Sequence, residues 1–331
     1  MHTPRRATSL DDAYRTCNHD KPLEGDDDEW NQDLAAARGD DTLRTLRARL
    51  TRRDDGEFVH VAFVSHRGAG KTTELKRLTT DLRTLFHAHY FEANLKLDER
   101  HFSTEDLLLS LALSLQEDFE ALGRPLPPEV LQRVHGWFTD VLRSTSWAQH
   151  MEADLAAKAT ATVGVPLFVS LAQELKALLK AENTYRTEVR EAFRRYPGAL
   201  LAHVNSLLDA AQARLGEQSL LVLIDNLDRY DPKVVDEVLF QGGRRLRALR
   251  CHLIVTPPIA LYYRPLTEPL QQSFAPSVMY TVRLRRPDQP HGTFDPRSPG
   301  RALLVKALDR RLDVSKLIPD AEALDRLVSP S

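Results

Sequence analysis

The chain has 331 residues, of which 42% are hydrophobic and 28% charged, with 45 Lys and Arg against 47 Asp and Glu. This balance excludes a wholly disordered, collagenous or disulfide-scaffold protein, and a formal net charge of -2 gives no whole-chain attraction to nucleic acid or membranes. The two cysteines, Cys17 and Cys251, stand one in a polar stretch and one at the head of an apolar run, a usage that suits a reducing compartment.

Residues 1–40 are polar and include the acidic run Asp26-Asp27-Asp28-Glu29, which predicts a loosely ordered lead-in. No apolar stretch follows the basic Arg5-Arg6, so no secretory signal is read there. Leu43, Leu46 and Leu50 have helical spacing, and Phe58 to Val64 is a β-branched and aromatic strand that stops at a glycine-containing loop. Leu75, Leu78, Leu82 and Leu85 then return to helical spacing, and a second strand is expected over His87 to Ala93.

Ser103, with Asp106 three residues on, predicts a helix start and opens a helical insertion over about 100–218, punctuated by Pro127-Pro128 and Tyr196-Pro197-Gly198. Its longest uncharged run, between Lys158 and Glu174, contains Gly164 and Pro166 and falls short of the roughly 20 residues that span a bilayer. No membrane segment and a cytoplasmic location are therefore expected. Trp137, Phe138, Leu142 and Trp147 read as core within this insertion.

Leu220 to Ile224 is a continuous apolar run of the kind buried on both faces of a parallel sheet. A helix over 232–250, a strand at Leu253 to Val255 and a further strand around Val278 to Leu284 follow. Four prolines and two glycines between Pro287 and Gly300 mark a linker, and Leu303, Leu304, Ala307 and Leu308 a short helix. The expected architecture is thus α/β, a three-layer fold with a mainly parallel sheet and a large all-helical insertion. Its expected divisions are 1–40, a core over 41–286, and a C-terminal segment over 287–331.

The loop Ser65-His66-Arg67-Gly68-Ala69-Gly70-Lys71-Thr72 fits the phosphate-loop pattern GxxxxGK[ST], except that Ser65 replaces the first glycine. Gly68 and Gly70 let successive backbone N–H groups turn toward phosphate oxygens, and a helix N-terminus adds its positive dipole end. Lys71 is expected on the β- and γ-phosphates and Thr72 on Mg²⁺, with the whole loop Ser65 to Thr73 wrapping the phosphates. Serine is small enough for the first position if no positive φ is required there.

Such a loop needs a second, acidic element, and Leu220 to Ile224 runs into Asp225-Asn226-Leu227-Asp228-Arg229. Asp225 is the expected magnesium partner. Asn226 stands where many ATPases place a glutamate that orients water, and an amide cannot accept a proton, so the base role passes to Asp228. Asp231 before Pro232 reads as a helix cap.

Together, the loop 66–75 and the Asp225–Arg229 segment resemble bacterial ATPases of the AAA+ and STAND groupings. The Asp-x-x-Asp-Arg form is similar to that of the KAP family. The matched segments cover the nucleotide core, about half the chain. The resemblance implies ATP rather than GTP, Mg²⁺ as cofactor, the two motif strands side by side in a parallel sheet, and a nucleotide-driven conformational switch. It also implies a γ-phosphate sensor at Thr256, although a threonine closing a strand before Pro257-Pro258 is the competing reading, and a trans-acting arginine at Arg264. Two departures stand out: the insertion is too charged for the membrane helices that KAP proteins often carry there, and only the start of a helical lid is expected at the C-terminus.

From Gly243 to Arg286 there are eight arginines against one acid, Glu268. This strip suits nucleic-acid phosphates or an acidic neighbour, with a solvated surface the favoured reading. The partner expected besides ATP is a protein, a second copy included. The histidines show no metal spacing. Hydrolysis of Mg-ATP is the leading expectation, a non-hydrolysing nucleotide sensor or a DNA-associated loader the alternatives.

Overall fold

The computed structural model describes residues 6–18, 22–23, 29–39, 41–54, 56–98, 100, 102–147, 171, 174–175, 177–178, 184–241, 243–263, 274–284 and 297–328. It is an α/β structure with a mainly parallel five-stranded sheet. The strands are β1 (His60–Val64), β2 (Phe86–Glu92), β3 (Ser219–Asp225), β4 (His252–Val255) and β5 (Ala275–Val278), in the order β2-β3-β4-β1-β5. The pairs β2–β3, β3–β4 and β4–β1 are parallel. All of β4 and all but the first residue of β1 and β3 are buried, which is why these strands read as unbroken apolar runs.

The two motif-bearing strands, expected side by side, are separated by β4. Its wholly buried sequence takes the central place and sets Val255 level with both Ile224 and Ala62. Other boundaries also moved. Phe58 lies before the β1 ladder with its ring edge-on to His252 at 5.7 Å. The last strand ends at Val278 rather than continuing to Leu284, because the chain leaves the sheet and Arg283 donates its N–H to the Ala37 carbonyl at 3.0 Å.

The expected helix over 232–250 is broken into Pro232–Asp236, a π-turn Glu237–Gln241 and Gly243–Arg247. A π-turn widens the spiral by one residue, and the pair Gly242-Gly243 is a poor helix former. Arg247 closes the last of these pieces, and Arg250 lies beyond it. Asp231 caps the first piece, as its sequence position suggests, accepting from the Lys233 N–H at 2.8 Å.

The described chain divides into two compact units: Met1–Arg52 with Val64–Asp81 and Ser277–Ser331, and Arg53–Phe63 with Leu82–Pro276. In the first, the lead-in expected to be loose holds the helices Leu10–Thr16 and Ala35–Arg38. Its order comes from backbone bonding that composition does not reveal. Ala7 donates to Arg311 and accepts from Asp313, and Arg310 holds the carbonyls of Glu29 and Asn31.

In the second unit the insertion contributes the helices Thr104–Ala121, Pro128–Leu142, Thr184–Arg194 and Pro197–Arg214. Their apolar faces and the sheet share one core, which includes Phe119, Phe138, Phe193 and Leu207. Trp137 packs on Phe193 and His203, so the aromatic patch is interior packing. Ser103 and Asp106 form a reciprocal capping box, and Arg190 pairs with the same Asp106, which is 2% exposed. Among the described residues no helix is long and apolar enough to cross a membrane.

Buried histidines make this unit acid-sensitive. Burial lowers the pKa values of His60, His135, His203 and His252, the last down to about 3, where Arg53 and His60 add to the effect of burial. The unfolded chain takes up protons that these rings refuse, so their contribution is complete above an ordinary histidine value of 6.5 and is lost as pH falls toward 3. His252 Nδ1 accepts from the Val59 N–H at 3.1 Å. His252→Gln keeps an acceptor and cannot be protonated. Urea unfolding at about pH 7 and about pH 4.5 should therefore show a stability loss smaller by about 2 kcal/mol in the variant; equal losses would refute this.

Candidate functional site

The glycine loop belongs to the first unit. β1 delivers the chain to Ser65, and the helix Lys71–Asp81 begins where the loop ends. Gly68 and Gly70 have φ of +79° and +90°, a backbone shape that side-chain-bearing residues rarely adopt. Ser65 is not in that region, so serine at the first position costs no backbone strain; its hydroxyl is buried and lacks a hydrogen-bond partner. His66, Arg67 and Gly68 are exposed, Ala69 and Gly70 half-buried. The buried Lys71 donates from Nζ to the carbonyls of Ser65 at 3.2 Å and His66 at 3.1 Å, drawing the loop's ends together. Thr72 and Thr73 are half-buried, and Thr73 Oγ1 accepts from the Leu23 N–H at 3.2 Å.

The acidic strand end belongs to the second unit. Asp225 is 1% exposed, and its Oδ1 accepts from Thr256 Oγ1 at 2.8 Å and from the Asn226 N–H at 2.7 Å. Because β4 lies beside β3, Thr256 follows Val255 directly alongside Asp225. Thr256, fully buried, thus fixes the carboxylate rather than merely closing a strand. Asn226 has φ of +65°, the one positive value among described residues other than glycine. Asparagine tolerates that region better than most side chains. The 3₁₀ turn Leu227–Arg229 follows, with Asp228 half-buried in it and Arg229 exposed. The Tyr230 hydroxyl then donates to the Ala93 carbonyl at 2.9 Å, and its ring packs edge-on to Phe102.

Arg264 lies outside the described residues, as do Arg285, Arg286 and the side chain of Arg244. Within the arginine strip, Arg245 pairs with Glu105 and Arg250 with Asp209, while the Arg283 guanidinium lies where a Cβ on Gly39 would touch it. Arg245 and Arg250 are thus each held by a carboxylate, Arg250 in a half-exposed pair.

Sequence reasoning missed Arg38. From the helix Ala35–Arg38 it donates to Glu74 Oε1 at 2.7 Å and to the Ala69 carbonyl of the glycine loop at 2.9 Å, both within the first unit. The available signal was slight: Glu74 is a charged residue next to the apolar stripe Leu75 and Leu78, where a buried partner is required.

No family model, curated protein or solved structure matches this chain.

Proposed function

We propose that the chain binds ATP with Mg²⁺ and hydrolyses it to drive a conformational switch, as a P-loop NTPase. The observation that carries this reading is the loop itself: two glycines at positive φ between a buried parallel strand and a helix, with a buried lysine at the first helical position. Strand, turn and helix of that form turn backbone N–H groups and a dipole end toward an anion. Support also comes from strand direction, since β1 and β3 run parallel and both motifs follow carboxyl ends, where α/β sheets carry their ligands.

In this reading Lys71 exchanges its loop carbonyls for the β- and γ-phosphates. Thr72 and Asp225, each taken by itself, would suit magnesium, the one as a half-buried hydroxyl and the other as a buried carboxylate oriented by Thr256. When bound, the ion would offset charge on the phosphate oxygens. Asp228 accepts the proton of the attacking water, and Thr256 serves the site through Asp225. The phosphoryl group passes to that water and ADP leaves. Tyr230, bonded to Ala93 and packed on Phe102, links the acidic turn to the segment that leads into the insertion.

A second reading, a nucleotide sensor with negligible turnover, is favoured by Asn226, an amide in the left-handed region where a glutamate base does not sit comfortably. Phosphate release from Mg-ATP, measured over a range of protein concentrations, separates the two. Lys71→Ala is expected to weaken ATP binding about a hundredfold, and Asp228→Asn to spare binding but lower turnover about a hundredfold. Bound ATP with equal, negligible turnover in wild type and Asp228→Asn would leave the sensor, and ATP binding unaffected by Lys71→Ala would end both readings.

A further inference from the structure

We infer that Arg38 is a positioning residue of the glycine loop, fixing the direction of the Gly70 N–H toward bound phosphate; the phosphate part rests on the nucleotide reading above. A trans peptide is planar, so the Ala69 carbonyl and the Gly70 N–H point in opposite directions. None of the described peptide bonds is cis. Arg38 grips that carbonyl at 2.9 Å, and therefore turns the N–H to the side of the loop away from itself.

This peptide is the one that most needs holding. It lies next to Gly70 and one residue after Gly68, both at positive φ, and glycines give a chain the widest choice of backbone shapes. Without an anchor, rotation of the Ala69–Gly70 unit would carry the donor out of line. The anchor is firm because the other arm of the guanidinium is tied to Glu74 on the loop's own helix, whose N–H in turn bonds the Gly70 carbonyl at 3.0 Å. Arg77 holds the second Glu74 oxygen at 3.1 Å, and Arg38 is only 7% exposed.

The geometry calls for arginine. A planar fork can serve a carboxylate and a carbonyl at once, whereas an ammonium is a single point charge. Leu23, donating to Thr73, fastens the same N-terminal segment to the helix beyond the loop. A region that composition marks as a loose lead-in thereby becomes part of the loop's frame, and anything that displaces it would loosen the donor.

The test uses the full chain with Arg38→Lys and with the pair Arg38→Met and Glu74→Met, which removes both buried charges together so that neither is stranded. In ligand-free protein, amide hydrogen exchange over 65–70 is expected to quicken about tenfold in both variants, with the helix Lys71–Asp81 unchanged. Unaltered loop exchange, or faster exchange throughout the first unit, would overturn the inference. By calorimetry, ATP and tripolyphosphate are each expected to bind about tenfold more weakly to the variants than to wild type, through loss of pre-organisation. Wild-type affinity in both variants would overturn it too. Failure of wild type to bind either ligand would sink the nucleotide reading alone, and the exchange result would then decide whether Arg38 positions the loop.

Discussion

Asp106→Ala is expected to lower the unfolding free energy by about 4–6 kcal/mol, combining a broken buried ion pair with a lost helix cap. One carboxylate performs both tasks. It accepts from the Ser103 N–H at 2.9 Å while receiving the Nε and a terminal nitrogen of Arg190. Alanine takes this carboxylate away from the Arg190 charge, in a site that is nine-tenths buried, and removes the acceptor of the Ser103 N–H at the start of Thr104–Ala121. Against a typical domain stability of about 5–15 kcal/mol, this loss leaves the unit close to unfolding. Urea titration followed by the fluorescence of Trp137 and its neighbours reads it directly. Asp106→Asn, which keeps an acceptor for the cap, should lose less, and a loss under about 2 kcal/mol in the alanine variant would refute the large contribution of this ion pair.

The second large effect is on chemistry. On the hydrolytic reading proposed above, Asp225→Asn is expected to lower Mg-ATP turnover about a thousandfold while leaving the fold intact. The amide oxygen can still accept from Thr256 and from the Asn226 N–H, so these bonds persist while the charge disappears. Thr256→Val does the converse, keeping the charge but removing one of its guides, and should cost about tenfold, chiefly as a higher magnesium requirement. Phosphate release across a magnesium series distinguishes these patterns. Equal activity of wild type and Asp225→Asn at saturating magnesium would detach Asp225 from the reaction.

Much of the sheet and part of the site could be read directly from the residues. The apolar runs at 61–64, 220–224 and 253–255 became wholly buried strands because burial on both faces leaves no polar alternation to misread. The reciprocal cap at Ser103 and Asp106 was legible because both partners lie within one helical turn. Contacts distant in sequence were not. The place of β4 between the two motif strands, Arg38 on the Ala69 carbonyl and Ala7 beside Leu312 join residues whose local patterns give no sign of each other. The break in the helix after Pro232 was partly legible in Gly242-Gly243, but apolar spacing across the π-turn masked it. Thr256 was legible as a polar residue at a strand end, yet its partner followed only from the strand order.

Asn226 limits what this turn can become. Its left-handed backbone lets its N–H bond the neighbouring Asp225 carboxylate, and a longer unbranched acid placed there would sit in a region that costs about 1–2 kcal/mol for most side chains. Installing glutamate to supply a stronger base would thus set two demands in opposition: either the acid is strained, or the backbone relaxes and Asp225 loses its bond from the neighbouring N–H. Glycine keeps the bend and aspartate comes near to it, but neither extends far enough to replace glutamate. The turn therefore gains an oriented carboxylate at one position by giving up a proton acceptor at the next, and a change that adds the acceptor would have to redesign both residues together.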